Sequence, residues 1–379
     1  MATAQTSPSS GRSSLDDAAS SAYRCRSDDE GLTMSHQTRA AVLVQVGASQ
    51  PYRDSRPLSI ETLTLSPPGP QEVQVAIKAA GLCHSDLSVI NGDRPRPLPM
   101  ALGHEAAGVV ESVGEGVDDL EAGDHVVMVF MPSCGHCAPC ASGRPALCEP
   151  GAIANASGSL LSGQRRLFRE GQPLHHHLGC SAFAERAVVS RRSLIKIDKS
   201  LSFEEAALFG CAVLTGVGAV VNTAQVCPGQ SVAVIGLGGV GLASVLAALA
   251  SGACPVIAVD LSDEKLALAR SLGPVLTVNA SAPDAVEQVR TLTQGGVDFA
   301  FEMAGSVRAL DSAWRMTKRG GTTVTAGLPP ADAALAVNVV SLVGEERTLK
   351  GSYIGTCVPS RDIPRYVALY RQGRLAVDR

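Results

Sequence analysis

The sequence predicts a two-part α/β protein, with a β-rich, turn-rich domain over residues 38–205 followed by a doubly wound parallel sheet over 206–379. Three observations predict it: a change of texture near residue 206, a glycine-rich turn between a strand and a helix, and four cysteines crowded into residues 134–148.

In the first part, short apolar runs (AAVLVQV, EVQVAIKAAG, EAAGVVESVG, DHVVMVFMP) are each broken by Gly or Pro, the pattern of strands and turns. Within it, CGHCAPCASGRPALC spaces its cysteines C-x2-C-x2-C-x7-C. Two disulfides, unrelated core residues and a metal site compete to explain them. Residues 1–33 are Ser/Ala-rich with both acids and arginines and hold no apolar h-region, so no secretory signal is evident. Disulfides are a poor account in a reducing cytosol. Cysteines two residues apart gather their sulfurs around one point, which suits a tetrahedral zinc site. Cys134, Cys137, Cys140 and Cys148 are therefore expected to hold a structural zinc, since four thiolates leave no open position for chemistry.

In the second part, the strand SVAVIG precedes the helix GGVGLASVLAALAS, and the strand PVIAVD precedes the helix DEKLALARSLG. The strands LTV, VDFAFEM and GTTVTAG follow. Strands alternating with helices predict parallel βαβ units. Gly236, Leu237, Gly238, Gly239, Val240 and Gly241 fit G-x-G-x-x-G directly after a strand and at the opening of a helix, the context of a Rossmann dinucleotide site. There, backbone N–H groups at the helix N-terminus reach a pyrophosphate. Asp260 ends the next strand, 19 residues after Gly241. A carboxylate at that place accepts from ribose hydroxyls and repels a 2′-phosphate, so NAD is expected over NADP. Lys265, one helical turn on, reaches the same ribose, and Ser262 fills the helix-cap role better than Asp260.

The bulk numbers exclude several classes. The chain has 379 residues, 45% hydrophobic, with a net charge of −4 and both signs interspersed, so no nucleic-acid or membrane surface is expected. No stretch is long and apolar enough to span a bilayer, and the expected compartment is the cytoplasm. Eleven cysteines is an odd number, unlike a disulfide framework. Residues 1–37 are expected to be a disordered tail, with Met34 a candidate true start. Asp16, Asp17, Asp28, Asp29 and Glu30 argue against a mitochondrial transit peptide.

Three further motifs, GLCHSD (81–86), LGHEAAG (102–108) and FGCAVLTG (209–216), are unremarkable singly. Together with the cysteine lobe and the glycine motif, they make the chain resemble the zinc-dependent medium-chain alcohol dehydrogenases from about Val42 to its last residue. The resemblance implies a GroES-like catalytic domain ahead of the Rossmann domain. It implies a catalytic zinc on Cys83, His104 and Cys211 with Glu105 beside it, and Asp86 bracing His104. Ser85 is implied on the substrate hydroxyl, His84 at the cofactor pyrophosphate, Thr215 in contact with the cofactor, and Phe130 in the pocket wall. Two zinc ions per chain, NAD, and a small alcohol or aldehyde substrate are implied. So is a homodimer or homotetramer with TLKGSY (348–353) as candidate edge.

The chain departs from the family's pattern at several places. Ser88 stands where some members carry a relay histidine. Arg94 and Arg96 replace the acids that the glutathione-dependent formaldehyde branch keeps after the HSD motif. A neutral or acidic alcohol fits this loop, unless both arginines are simply solvated. The chain stops at Asp378-Arg379, where the family returns to complete its catalytic sheet, so an exposed sheet edge is expected. His175-His176-His177 is expected in a solvated loop, and Cys25, Cys180, Cys227, Cys254 and Cys357 as packing residues or solvent thiols. The expected function is an NAD-dependent zinc alcohol dehydrogenase. Its rivals are a polyol, threonine or thiol-adduct formaldehyde dehydrogenase, or an inactive shortened member.

Overall fold

Residues 35–379 are described by a computed structural model. The segment read as a tail lies outside it except at its end, where strand His36–Leu43 already begins. That strand pairs with Leu58–Leu65 from its first residue, and the Thr38 hydroxyl donates to Arg186 O at 3.1 Å, so the backbone there is tied into the sheet. Cys25 also lies outside the described residues.

Two sheets build the first domain. One is antiparallel, in the order Arg186–Ser190, Glu72–Gly81, Glu105–Val113, His125–Met128, Leu194–Ile197. The other runs Gln172–Pro173, Leu167–Arg169, Leu58–Leu65, His36–Leu43, Met100–Ala101, His175–His176, and its last pair is parallel. Val73, Val75, Val126, Val127 and Met128 are fully buried, and because the last three are consecutive both faces of their strand are covered, which is what the short apolar runs encode. The fold is thus the β-rich domain plus parallel nucleotide sheet that the sequence predicts.

The second domain is a six-stranded parallel sheet ordered Val275–Asn279, Val256–Asp260, Val232–Ile235, Val297–Glu302, Thr317–Thr325, Thr348–Gly351. Counted along the chain this is the 3-2-1-4-5-6 order of a doubly wound fold. Its switch point lies between Val232–Ile235 and Val297–Glu302, so the ends of these strands open the crevice that in doubly wound folds is the ligand-binding position. All four residues of Val232–Ile235 are buried, as a central parallel strand requires, whereas all four of the edge strand Thr348–Gly351 are exposed.

One connection positions the site. Helix Phe203–Leu208 packs beneath strands Glu72–Gly81 and Glu105–Val113, and helix Ala212–Gly218 packs on helix Gly239–Ala250. Between these helices sits Cys211. The second packing is close because Gly216 has no side chain: a Cβ there would collide with Val240 O. The Ser244 hydroxyl fastens the contact, donating to Gly216 O at 3.1 Å. No helix among the described residues is long and apolar enough to cross a membrane.

Candidate active site and metal centres

Cys83 is the N-cap of helix His84–Ile90, and its backbone N–H donates to Asp86 Oδ2 at 3.2 Å, which sets both residues on the first turn. Glu105 opens strand Glu105–Val113 and His104 immediately precedes it, while Cys211 precedes helix Ala212–Gly218. The strand and the two helices bring one donor atom each from Cys83, His104, Glu105 and Cys211 to within 4.8 Å of one another. His104 Nε2 is 3.5 Å from Cys211 Sγ. Two sulfurs and one imidazole are the donor chemistry of a zinc site that keeps a position open, with the Glu105 carboxyl beside it.

The electrostatics fit a cation at the centre of that set. With protons alone, the charge settles as a thiolate beside an imidazolium. The Cys83 thiol is pulled down to about 3, first by its hydrogen bond with Cys211, then by His104, against the opposing pull of burial. Burial pushes the His104 imidazole down, but Asp86 and Cys83 outweigh it and raise it to about 10. Hydrogen bonding with Cys83 and burial push the Cys211 thiol well up. Burial, then the Cys83 charge, raises the Glu105 carboxyl to about 8, which keeps it neutral at pH 7.

Asp86 is buried, and its Oδ1 lies 3.1 Å from His104 Nδ1, so the imidazole is held with Nε2 turned toward the sulfurs. Burial alone would raise this carboxyl, but His104 and His177 hold it well below the usual carboxylate range. His177 corrects the expectation of a solvated histidine loop. His176 is fully buried and His177 is 1% exposed, because residues 175–176 pair with Met100–Ala101 and draw the triplet into the sheet. His176 Nε2 accepts from Arg166 N at 3.0 Å, and burial pushes its imidazole down to about 3. His177 Nδ1 lies 3.1 Å from Asp86 Oδ1, off the axis a hydrogen bond needs, and its ring meets His104 edge-on at 5.4 Å.

The Cys134, Cys137, Cys140 and Cys148 sulfurs also lie within 4.8 Å of one another, and none is in a disulfide. Cys148 is fully buried, and its Sγ accepts from Cys134 N at 3.2 Å and Gly151 N at 3.4 Å. The His136 N–H, foremost, pulls Cys134 down to about 6, while burial pushes Cys140 up to about 12. A tetrathiolate zinc fits this knot of S···H–N contacts and leaves no open position.

On the nucleotide side, Gly241 must lack a side chain, since a Cβ would strike Gly236 O across the turn. Asp260 ends its strand with Oδ2 accepting from Leu237 N at 2.7 Å, so the carboxylate that faces the crevice also ties down the glycine loop. Lys265 Nζ is 3.9 Å from the same oxygen. Ser262 caps the helix, its hydroxyl accepting from Lys265 N at 3.4 Å. Gly238, Gly239 and Val240 form the head of helix Gly239–Ala250. Thr215 is half-buried on the helix packed against it, and His84 is exposed. Ser85 sits half-buried two residues from Cys83. The Ser88 hydroxyl is buried and donates to His84 O at 3.0 Å. The Phe130 ring lies 5.3 Å from the His104 ring and 6.1 Å from Tyr353. Sequence reasoning missed Tyr353, His177 and Glu302. The last is a buried carboxylate at the switch point, accepting from Ala304 N at 2.8 Å and Gly305 N at 2.6 Å. Its signal was an acid at the end of the strand VDFAFE, shortly before Ala304 and Gly305.

Comparison with known proteins agrees with this geometry. The family model described as alcohol dehydrogenase GroES-like domain matches residues 69–199, and that described as zinc-binding dehydrogenase matches 239–372. An alcohol dehydrogenase zinc-binding domain protein of Burkholderia ambifaria is 39% identical, with a TM-score of 0.85 and 91% of each chain covered. Benzyl alcohol dehydrogenase of Acinetobacter calcoaceticus is 33% identical, with a TM-score of 0.84, covering 90% of this chain and 91% of that one. A protein of Sinorhizobium meliloti 1021 solved with NADP is 28% identical, with a TM-score of 0.72 and 90% of each chain covered.

Proposed function

The chain belongs to the zinc-binding alcohol dehydrogenase family, and from that premise we propose that it catalyses reversible hydride transfer between an alcohol and NAD, giving an aldehyde or ketone. The observation that carries the reading is one juxtaposition. The Cys83–His104–Glu105–Cys211 donors meet at the head of a helix that is itself packed on the glycine-loop helix.

Cys83, His104 and Cys211 would hold the zinc, which when bound supplies a Lewis acid for an alcohol or carbonyl oxygen. NAD, when bound, supplies the hydride acceptor. Asp86 keeps the His104 ring oriented and its Nε2 facing the sulfurs. Glu105, buried beside the set, adds a carboxyl oxygen within reach of the same ion. The Ser85 hydroxyl orients the substrate hydroxyl and takes its proton toward solvent. Ser88 takes no part in this route, because its hydroxyl is committed to His84 O. Phe130 and Tyr353 wall the pocket and exclude water. His84 and Thr215 contact the dinucleotide, and Asp260 and Lys265 take the ribose. Cys134, Cys137, Cys140 and Cys148 would hold the second, structural zinc. We place the protein in the cytoplasm, a reading supported by ten described cysteines without a disulfide.

The test is a panel of primary and secondary alcohols with NAD and with NADP, followed as reduced nicotinamide. Turnover with NAD is expected, and none with either cofactor sinks the reading. The NADP-bound relative makes NADP the rival. Asp260→Ala removes the charge facing a 2′-phosphate. It should lower kcat/KM for NAD and shift the NADP-to-NAD ratio upward by about tenfold or more, the worth of roughly one charged contact. An unmoved ratio would take Asp260 out of cofactor choice.

We also propose that two copies pair edge to edge through Thr348–Gly351. The reading is supported by its four exposed residues and by Val339, Val340 and Val343 lying 69%, 81% and 71% exposed on the preceding helix. A monomeric mass by light scattering at micromolar concentration would exclude it.

A further inference from the structure

We propose that Arg94 and Arg96 form an anion subsite on the outer side of the substrate pocket, and that the alcohol oxidised here carries a carboxylate. The proposal rests on the alcohol dehydrogenase reading for the identity of the pocket and adds the charge of its substrate.

Both arginines lie on the loop that follows helix His84–Ile90. Arg94 N donates to Ser88 O at 2.8 Å, which fixes the start of that loop against the helix. Its guanidinium reaches across the cleft, with Nη2 donating to Leu328 O at 3.1 Å. Arg96 Nη1 donates to Asn155 O at 3.2 Å, and Asn155 Nδ2 in turn donates to Phe130 O at 2.8 Å. One guanidinium is thus anchored on the nucleotide side of the pocket and the other one residue from its aromatic wall. Leu328, whose carbonyl takes the Arg94 guanidinium, and Tyr353, whose ring meets Phe130, line a cavity of about 360 Å³.

Arg94 lies within range of the Cys83 sulfur and the Tyr353 hydroxyl, and Tyr353 within range of both arginines and Cys211. Arg96 is likewise within range of His177. Among the described residues neither arginine makes an ion pair with any carboxylate. The nearby acid, Asp93, is engaged by Asn91 Nδ2 at 2.7 Å. Half-buried, and then repelled by Arg96, the Arg94 guanidinium is pushed below its ordinary value. Two like charges held only by backbone carbonyls are unfavourable until an anion joins them. Each guanidinium spends one N–H group on its carbonyl and keeps others of its five donors in the fork that matches a carboxylate.

Titration calorimetry on the full zinc-loaded chain tests this with a matched pair of probes, 4-(hydroxymethyl)benzoate and benzyl alcohol. The acid should bind about tenfold tighter than the neutral alcohol, the scale of a partly exposed charge-assisted contact, and the difference should shrink as salt is raised. Arg94→Gln and Arg96→Gln should each reduce the preference, and the double substitution should bring the ratio close to one. Arg270→Gln, which removes the same charge from helix Asp263–Ser271, should leave the ratio as it is. A ratio of one or less in the unsubstituted protein overturns the proposal, as does a preference that survives the double substitution. Loss of NAD affinity with the acid preference intact also overturns it and reassigns the arginines to the cofactor phosphates. Failure of the alcohol dehydrogenase reading appears separately, as no NADH from either probe, because binding is read without turnover.

Discussion

Replacing Cys83 with alanine is expected to reduce the zinc content from two ions per chain to one, and to lower kcat/KM for any alcohol by about a thousandfold or more. The magnitude follows from a Lewis acid's several kcal/mol of transition-state stabilisation, each decade of rate being about 1.4 kcal/mol. The residue supplies one of two sulfurs in the cluster, and its neighbours are buried groups that lose a common partner with it. Its second task, capping helix His84–Ile90, is worth about 1 kcal/mol, so the fold should survive the change. Metal analysis by mass spectrometry, nicotinamide absorbance and far-ultraviolet circular dichroism together read the result. Two zinc ions and full turnover in the variant would remove Cys83 from the site.

Cys148→Ser is the second large effect, and it should appear in stability rather than in chemistry. Serine keeps the size and the acceptor for the Cys134 and Gly151 N–H groups, so what is lost is the soft ligand. Structural zinc contributes about 10–16 kcal/mol of apparent binding energy in small metal-folded units, comparable with the whole stability of a domain. The second zinc should be lost, and the melting temperature should fall by about 10 °C or more, taking roughly 4 kcal/mol as a modest share of that energy. Calorimetric melts with and without added zinc measure it. An unchanged melting temperature with two zinc ions bound would show that the lobe is held by packing alone.

The legible parts of this molecule were those encoded over short distances. C-x2-C-x2-C-x7-C and G-x-G-x-x-G carry their geometry within fifteen residues, so spacing alone indicates a metal knot and a phosphate-binding turn. The parallel sheet was legible from apolar strands alternating with helices, while its strand order reverses at the first strand, Val232–Ile235. His177 was not legible, because what buries it is a two-residue pairing with a strand 75 positions earlier. A run of three histidines is polar by composition, and nothing local says that a sheet will close over it. Arg94 and Arg96 were visible as residues, but their direction depends on Leu328 and Asn155, 234 and 59 positions away. Glu302 was hidden for a different reason: two of its partners are adjacent backbone N–H groups, which carry no residue signature, and another, the Thr325 hydroxyl, comes from the next strand.

The place of Cys211 has a mechanical consequence. It falls at the break between a helix seated under the catalytic strands and a helix clamped to the nucleotide half through Gly216. Cys83 and His104 travel with one half, and Cys211 stands on the joint. An ion gripped by all three would splint that joint, and any swing that widened the crevice would have to pull against it or pivot about it.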